Sequence, residues 1–274
     1  MQQVTIKVTP HTSAQGQLLI PTGFCDSYVA CTGIKTDNTR DEVDVFSDFG
    51  HQKAKVLTPA DESSPVQIRY QFEPTGKSLP EQFFEQQTNR YTVASQGFAE
   101  EIKALNTEGN PAKQIFDLIL KAKSVFDYGH ADERFNDGHA QVPALCGTTK
   151  GSCVDINTYL IAASNSLGIP VQYVAGYWFH PERNFTPDMH CWLLFNVDNT
   201  VIPWDLAHHL KWGVSELSPS LNPAGGRRVP MSFGRGLNFE GPHGTVQISH
   251  FSEPVWLLPN GQTEDSILEI SIQD

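Results

Sequence analysis

Apolar positions change their period along this chain, and the changes divide it into regions. Up to about residue 100, short runs of β-forming residues (Val4 to Val8, Gln17 to Ile20, Val43 to Phe46 and Val66 to Phe72) are separated by clusters of Gly, Pro, Asp and Asn. Such a pattern predicts an N-terminal β-sandwich or extended β-domain. The period then becomes helical. Asn110 is placed as an N-cap and Pro111 at the first helical position, with Ile115, Leu118, Ile119, Ala122 and Phe126 on one face. Tyr128 to Thr149 is interrupted by Gly129, Gly138, Pro143 and Gly147 and reads as a cleft-forming loop.

A second helix follows, with Ile156, Leu160, Ala163 and Leu167 as one apolar stripe, Gly168 as its stop and Pro170 barring continuation. Residues 171 to 179 alternate and are rich in β-branched and aromatic types, which predicts a strand. Two further strands, His190 to Val197 and Thr200 to Asp205, flank the pair Asp198 and Asn199, a hairpin turn by composition. Beyond Trp212 the chain is rich in Gly and Pro until strand-like runs at Thr245 to Ile248, Val255 to Leu258 and Ile267 to Ile272, expected to extend or cover the core.

The candidate chemistry lies on these elements. Ser152 and Asp155 have capping-box spacing, which puts Cys153 at the first helical position. There the unpaired N–H groups and the helix dipole favour the thiolate. Asp155 opposes this as a nearby negative charge, so an imidazolium partner is needed. His190 and Asp205, at the open end of adjacent antiparallel strands, supply a base and an acid to orient it. Cys153, His190 and Asp205 thus form a candidate nucleophile, base and orienting group for acyl transfer.

The segment from about Asn110 to Trp212 resembles the core of the transglutaminase-like superfamily. The resemblance rests on Gly151-Ser152-Cys153-Val154-Asp155, on Leu167-Gly168-Ile169-Pro170-Val171 leading to Val174-Ala175-Gly176-Tyr177, on His190-Cys191-Trp192 and on Trp204-Asp205. Phe233-Gly234-Arg235 and Pro242-His243-Gly244 resemble a phrase that follows the core in bacterial members. The resemblance implies an α+β fold: a papain-like core with a helix packed on an antiparallel sheet, preceded by the N-terminal β-sandwich-like domain. It also implies Cys153 as nucleophile, His190 as general base and acid, and Asp205 as orienting acid. This chain departs from the family at Leu206-Ala207, where Pro-Thr is common, and at Cys191, where Ala is common. Because neighbours on a strand face opposite ways, Cys191 is expected to turn away from His190.

The corresponding domain expectation is a β-domain at 1–100 and a transglutaminase-like catalytic domain at 101–274, the latter including a β-rich extension over about 213–274. The expected reaction is cleavage of an amide or peptide bond through a thioester, most simply hydrolytic. Protein crosslinking and a silent peptide- or glycan-binding module are the alternatives. Gln141 and Tyr128, upstream in the cleft loop, are candidate oxyanion donors beside the Cys153 N–H.

Composition narrows the partners. The chain has 274 residues, 39% hydrophobic and 18% charged, within the range of folded proteins. A net charge of -12 argues against nucleic acid and against anionic membranes, and the expected acyl-transfer chemistry calls for a peptide or protein substrate. No cofactor or metal is expected: the five cysteines (Cys25, Cys31, Cys146, Cys153, Cys191) include no CxxC, and no EF-hand-like run occurs. The adjacent His208 and His209 read as ordinary surface histidines or a cleft rim. Gly76-Lys77-Ser78 lacks the earlier glycine of a phosphate loop and reads as a plain loop. The opening Met1 to Val8 reads as a strand and not as a secretory signal, so a cytoplasmic location with reduced thiols is the expectation.

Overall fold

The computed structural model describes residues 1–11, 16–105 and 110–274. Strands β1 (Gln2–Val8), β2 (Gln17–Pro21), β3 (Val29–Asp37), β4 (Thr39–Phe46), β5 (Lys53–Pro59) and β6 (Val66–Pro74) come first. Helices α1 (Gln96–Lys103) and α2 (Pro111–Val125) follow, then β7 (Phe126–Tyr128), β8 (Thr149–Gly151), helix α3 (Cys153–Ser166) and β9 (Val171–Phe179). Next come β10 (Phe185–Thr186), β11 (His190–Val197), β12 (Thr200–Trp204) and helix α4 (Leu206–Lys211). The chain ends with β13 (Arg227–Phe233), β14 (Leu237–Gly241), β15 (Gly244–Ile248), β16 (Val255–Leu257), β17 (Thr263–Asp265) and β18 (Leu268–Gln273). Mixed helices and antiparallel strands make this an α+β protein, as expected.

The chain divides into two units. One comprises 1–79, 175–189 and 226–274, and the other 80–174 and 190–225. The first is built on two five-stranded sheets, ordered β10-β18-β1-β6-β3 and β17-β16-β2-β5-β4. Val4, Ile6 and Val8 of β1, Ile68, Tyr70 and Phe72 of β6, and Ile270 and Ile272 of β18 share a core with Leu18, Ile20, Leu57 and Trp256 of the other sheet. The period-two burial of β6 is the alternation read from sequence. Leu19, Val56 and Leu257 face the opposite way, against Leu237, Phe239, Val246 and Ile248 of the β14–β15 hairpin.

The expected division near residue 100 therefore needs correction. C-terminal strands complete the N-terminal sandwich, because β18 pairs with β1 (Ile6 opposite Ile270) and β16 pairs with β2. Residues 226–274 thus belong with the β unit and not with the helical one. The cause is a backbone requirement: the edges of β1 and β2 need hydrogen-bond partners, and strands far away in sequence provide them.

In the helical unit, the Asn110 side chain accepts the Lys113 N–H at 2.9 Å and Pro111 opens α2, as the capping signals required. Helix α3 departs from its expected amphipathic form: every residue from Cys153 to Ser164 is buried. It is enclosed by α1, α2, α4 and β11, and two of its hydroxyls bond back to the helix. The Thr158 hydroxyl donates to the Val154 carbonyl and that of Ser164 to the Leu160 carbonyl, each at 2.7 Å. Gly168, at φ +70°, ends the helix. Asp198 and Asn199, at φ +50° and +64°, form the β11–β12 turn as the sequence suggested.

Ile270→Ala is expected to lower the unfolding free energy by about 2–5 kcal/mol in chemical denaturation. A loss within about 0.5 kcal/mol, as at a surface position, would contradict the place given to β18 in the sandwich core.

Candidate active site

Cys153 is placed by three local devices. Phe126–Tyr128 pairs in parallel with Thr149–Gly151, which fixes the chain just ahead of α3. Gly151 is required there: a Cβ would come within 2.6 Å of Phe126 Cδ1. Finally, the Asp155 carboxylate accepts the backbone N–H of Ser152 at 2.9 Å and its hydroxyl at 2.6 Å, so the turn into the helix is held by the predicted pair. Asp155 is also paired with Arg134 Nη1 at 3.2 Å, which offsets the negative charge that the sequence left opposing a thiolate. Arg134 lies in the loop between β7 and β8, and no sequence signal marked it.

The structure brings His190 and Asp205 to this helix start. His190 opens β11, and Asp205 leaves β12 to become the N-cap of α4. His190 Nε2 lies 2.9 Å from Asp205 Oδ2. A carboxylate can only accept, so Nε2 carries the proton and Nδ1 is the nitrogen available to Cys153. The Cys153 side chain hydrogen-bonds to both His190 and Cys191. Cys153 and His190 are each 6% exposed and Asp205 is fully buried.

The electrostatics favour an ion pair. The Cys153 thiol is held well below its ordinary pKa, first by the hydrogen bond from Cys191 and then by the charge and hydrogen bond of His190, against a burial penalty. Burial pulls His190 down, but the charge of Asp205 and that of the Cys153 thiolate outweigh it, so its pKa is raised. Cys191 is pushed well up by burial and then by the neighbouring thiolate, and remains a thiol donor.

One expectation is overturned here, at His208 and His209, and Cys191, expected to turn away from His190, lies beside Cys153. Its sulfur lies between Asn157 Nδ2, at 3.3 Å, and Cys153. Cys191 thus faces α3, and His190 stands at the start of β11. His208 and His209 are not surface residues, being 1% and 2% exposed. His209 Nδ1 bonds the Asp205 carbonyl at 2.8 Å. His208 Nδ1 lies 3.1 Å from Asp205 Oδ2, its backbone N–H donates to Oδ1 at 3.0 Å, and its ring stacks on His190 with centroids 3.9 Å apart at 15°. The signal for α4 was present in Asp205-Leu206-Ala207-His208, an N-cap with a residue three positions on, but the sequence reading passed over it.

The other candidates are dispersed. Cys146 and Gln141 are exposed on the loop, and Tyr128 pairs with Gly151 while Lys211 sits over its ring. Among the described residues, the group able to ligate a metal is His190, Asp205 and His208, whose ligating atoms lie within 4.8 Å of one another. Their mutual hydrogen bonds already account for that proximity. Among the described residues, no helix is long and apolar enough to cross a membrane.

Residues 96–206 match the model of the transglutaminase-like superfamily, and no curated protein matches the chain in sequence. Among solved structures, a candidate cysteine protease from Cytophaga hutchinsonii aligns over 99% of this chain and 97% of its own, at a TM-score of 0.57 and 13% identity. The periplasmic domain of TgpA from Pseudomonas aeruginosa, solved with ethylmercury, aligns over 76% and 77% of the two chains, with a TM-score of 0.36 and 12% identity. A candidate protease from Parabacteroides distasonis aligns over 90% of this chain and 47% of its own, with a TM-score of 0.31 and 13% identity. The family match covers the elements that carry Cys153, His190 and Asp205, so this core of the chain is similar to that of the transglutaminase-like superfamily.

Proposed function

We propose that this protein is a cysteine hydrolase acting on amide or peptide bonds, with Cys153 as nucleophile, His190 as general base and acid, and Asp205 as the orienting carboxylate. The observation that carries this reading is the His190–Asp205 bond of 2.9 Å set beside a buried thiol at a helix N-terminus. The thiolate attacks the substrate carbonyl. His190 delivers its proton to the leaving amine, and the acyl group remains on sulfur as a thioester. Water, deprotonated by His190, then releases the carboxylic acid and regenerates the thiol. The Cys153 N–H, free of a helical acceptor at the first position, suits the developing oxyanion. Hydrolysis is favoured over crosslinking because water needs no dedicated acceptor site.

Cys153→Ala is expected to abolish peptide and amide hydrolysis while leaving the circular dichroism spectrum and thermal midpoint close to the parent's. Undiminished hydrolysis by that variant would overturn the assignment.

Alkylation of Cys153 by iodoacetamide, mapped by mass spectrometry, should remain fast at pH values well below the ordinary thiol range. The lowered Cys153 pKa keeps the thiolate populated as pH falls, and the raised His190 pKa keeps the imidazolium beside it as pH rises. His190→Ala should move the alkylation midpoint upward, because the cation is gone. A midpoint at the usual thiol value of about 8.5 in the parent, unmoved by the substitution, would instead favour a silent binding module. Adding a primary amine tests the remaining branch, since an amide product in place of the acid would identify transamidation.

A further inference from the structure

Helix α3 carries a second polar side chain on the face that presents Cys153. Asn157 stands one turn further along, so the two side chains lie one above the other. Its Nδ2 donates to the Cys191 carbonyl at 3.1 Å and to the sulfur of the same residue at 3.3 Å. Cys191 follows His190 directly in β11, so adjacent positions of the strand meet adjacent turns of the helix. The orientation of the amide is set by its partner: exchanging oxygen and nitrogen would put Oδ1 against the Cys191 carbonyl oxygen, two acceptors face to face. Asn157 is fully buried, and its Oδ1 has no hydrogen-bond partner. A buried acceptor left unpaired costs stability, which an apolar side chain of the same size would avoid.

We infer that Asn157 is a positioning residue for the Cys153–His190 pair: its amide holds the Cys191 carbonyl and thereby fixes the start of β11, with His190, against the helix that carries Cys153. This inference rests on the proposed hydrolase reading and adds to it a fourth residue. The pairing of β11 with β12 runs from Leu193 to Val197, so His190, Cys191 and Trp192 extend past that partner, with β9 on the other flank. Sheet bonds place β11 against other strands. The Asn157 bond is directed instead to the helix, which bears the nucleophile. A displacement of about 1 Å at a reacting group can cost about 100-fold in rate, so a tie one residue from the base and one turn from the nucleophile acts where alignment is most sensitive. An amide at this buried point, despite its unpaired oxygen, is then explained by alignment and not by stability.

Two substitutions of similar size test this. Asn157→Leu removes the donor together with the unpaired acceptor, and Asn157→Asp keeps the shape but sets an acceptor where the donor stood. Cys191→Ala removes the sulfur and keeps the carbonyl. The experiment measures kcat and KM of the full-length parent and the three variants on one quenched peptide that the parent cleaves, the pH midpoint of Cys153 alkylation by iodoacetamide, and the thermal midpoint. The expected result is a fall in kcat of about 10- to 100-fold for the Leu and Asp variants with little change in KM, as for a displaced reacting group. Their alkylation midpoints should move upward, because the imidazolium is no longer held beside the thiol, while the thermal midpoint of the Leu variant stays close to the parent's. Above its own alkylation midpoint, Cys191→Ala should lose far less kcat than either, because the carbonyl tie survives. An Asn157→Leu enzyme with the parent kcat and alkylation midpoint, or with a kcat loss no greater than its unfolded fraction, would overturn the inference, as would a Cys191→Ala loss equal to that of Leu. Should the Leu variant not fold, Asn157→Asp is read by the same kinetic criteria, and failure of both to fold would show a structural role and overturn the inference too. A parent that neither cleaves peptides nor labels rapidly at Cys153 removes the hydrolase reading and this inference with it. A parent that does both, matched by Asn157→Leu, removes the inference alone.

Discussion

Asp205 has no surface in contact with water, so the cost of keeping its carboxylate charged must be met by donors within the fold. They include His190 Nε2 and the His208 backbone N–H. Each comes from a different structural commitment. His190 is the first residue of β11, while the His208 N–H belongs to the turn of α4 that Asp205 itself caps. The carboxylate therefore ties the end of a β-hairpin to the start of a helix. Its position determines which nitrogen of His190 is left to face Cys153.

The thiol side of the site obeys the same logic with softer groups. Burial by itself would raise the Cys153 pKa, and the fold counters this with a second thiol, a raised histidine and the open N–H groups of α3. Arg134 completes the balance by pairing Asp155, whose carboxylate is needed to hold the helix entry but would otherwise oppose the thiolate. Cys191 occupies a position where family members often carry Ala. Here it donates toward Cys153 while its own ionisation is suppressed, so the two thiols divide the roles of ion and donor.

A helix buried on every side is the other constraint on the site. Every residue of α3 from Cys153 to Ser164 is buried, so its start cannot fray without disturbing α1, α2, α4 and β11. Reactive groups on rigid elements keep their geometry better than groups on loops. Cys153 sits on a helix and His190 on a strand, with Asp205 at a junction that hydrogen bonds from His190 and from the His208 backbone fasten.

Much of this was legible in the sequence because it is local. The cap at Asn110, the stop at Gly168, the turn at Asp198 and Asn199, and the pairing of Ser152 with Asp155 each depend on residues within a few positions, where side-chain chemistry and backbone angles act directly. The order of Cys153, His190 and Asp205 at the ends of regular elements was enough to nominate the site. What the sequence could not convey was which faces become enclosed and which distant strands become neighbours. The stripe on α3 predicted one buried face, yet packing from four elements buried all of them. His208 and His209 carried the composition of a surface pair, and only the turn of α4 beneath the hairpin drew them inside. Cys191 became a neighbour of Cys153 for the same reason. Its side chain followed the expected alternation, but alternation does not say what lies opposite. The final strands joined β1 and β2 because unpaired strand edges require hydrogen-bond partners, a demand that holds at any sequence separation and that tertiary structure alone resolves.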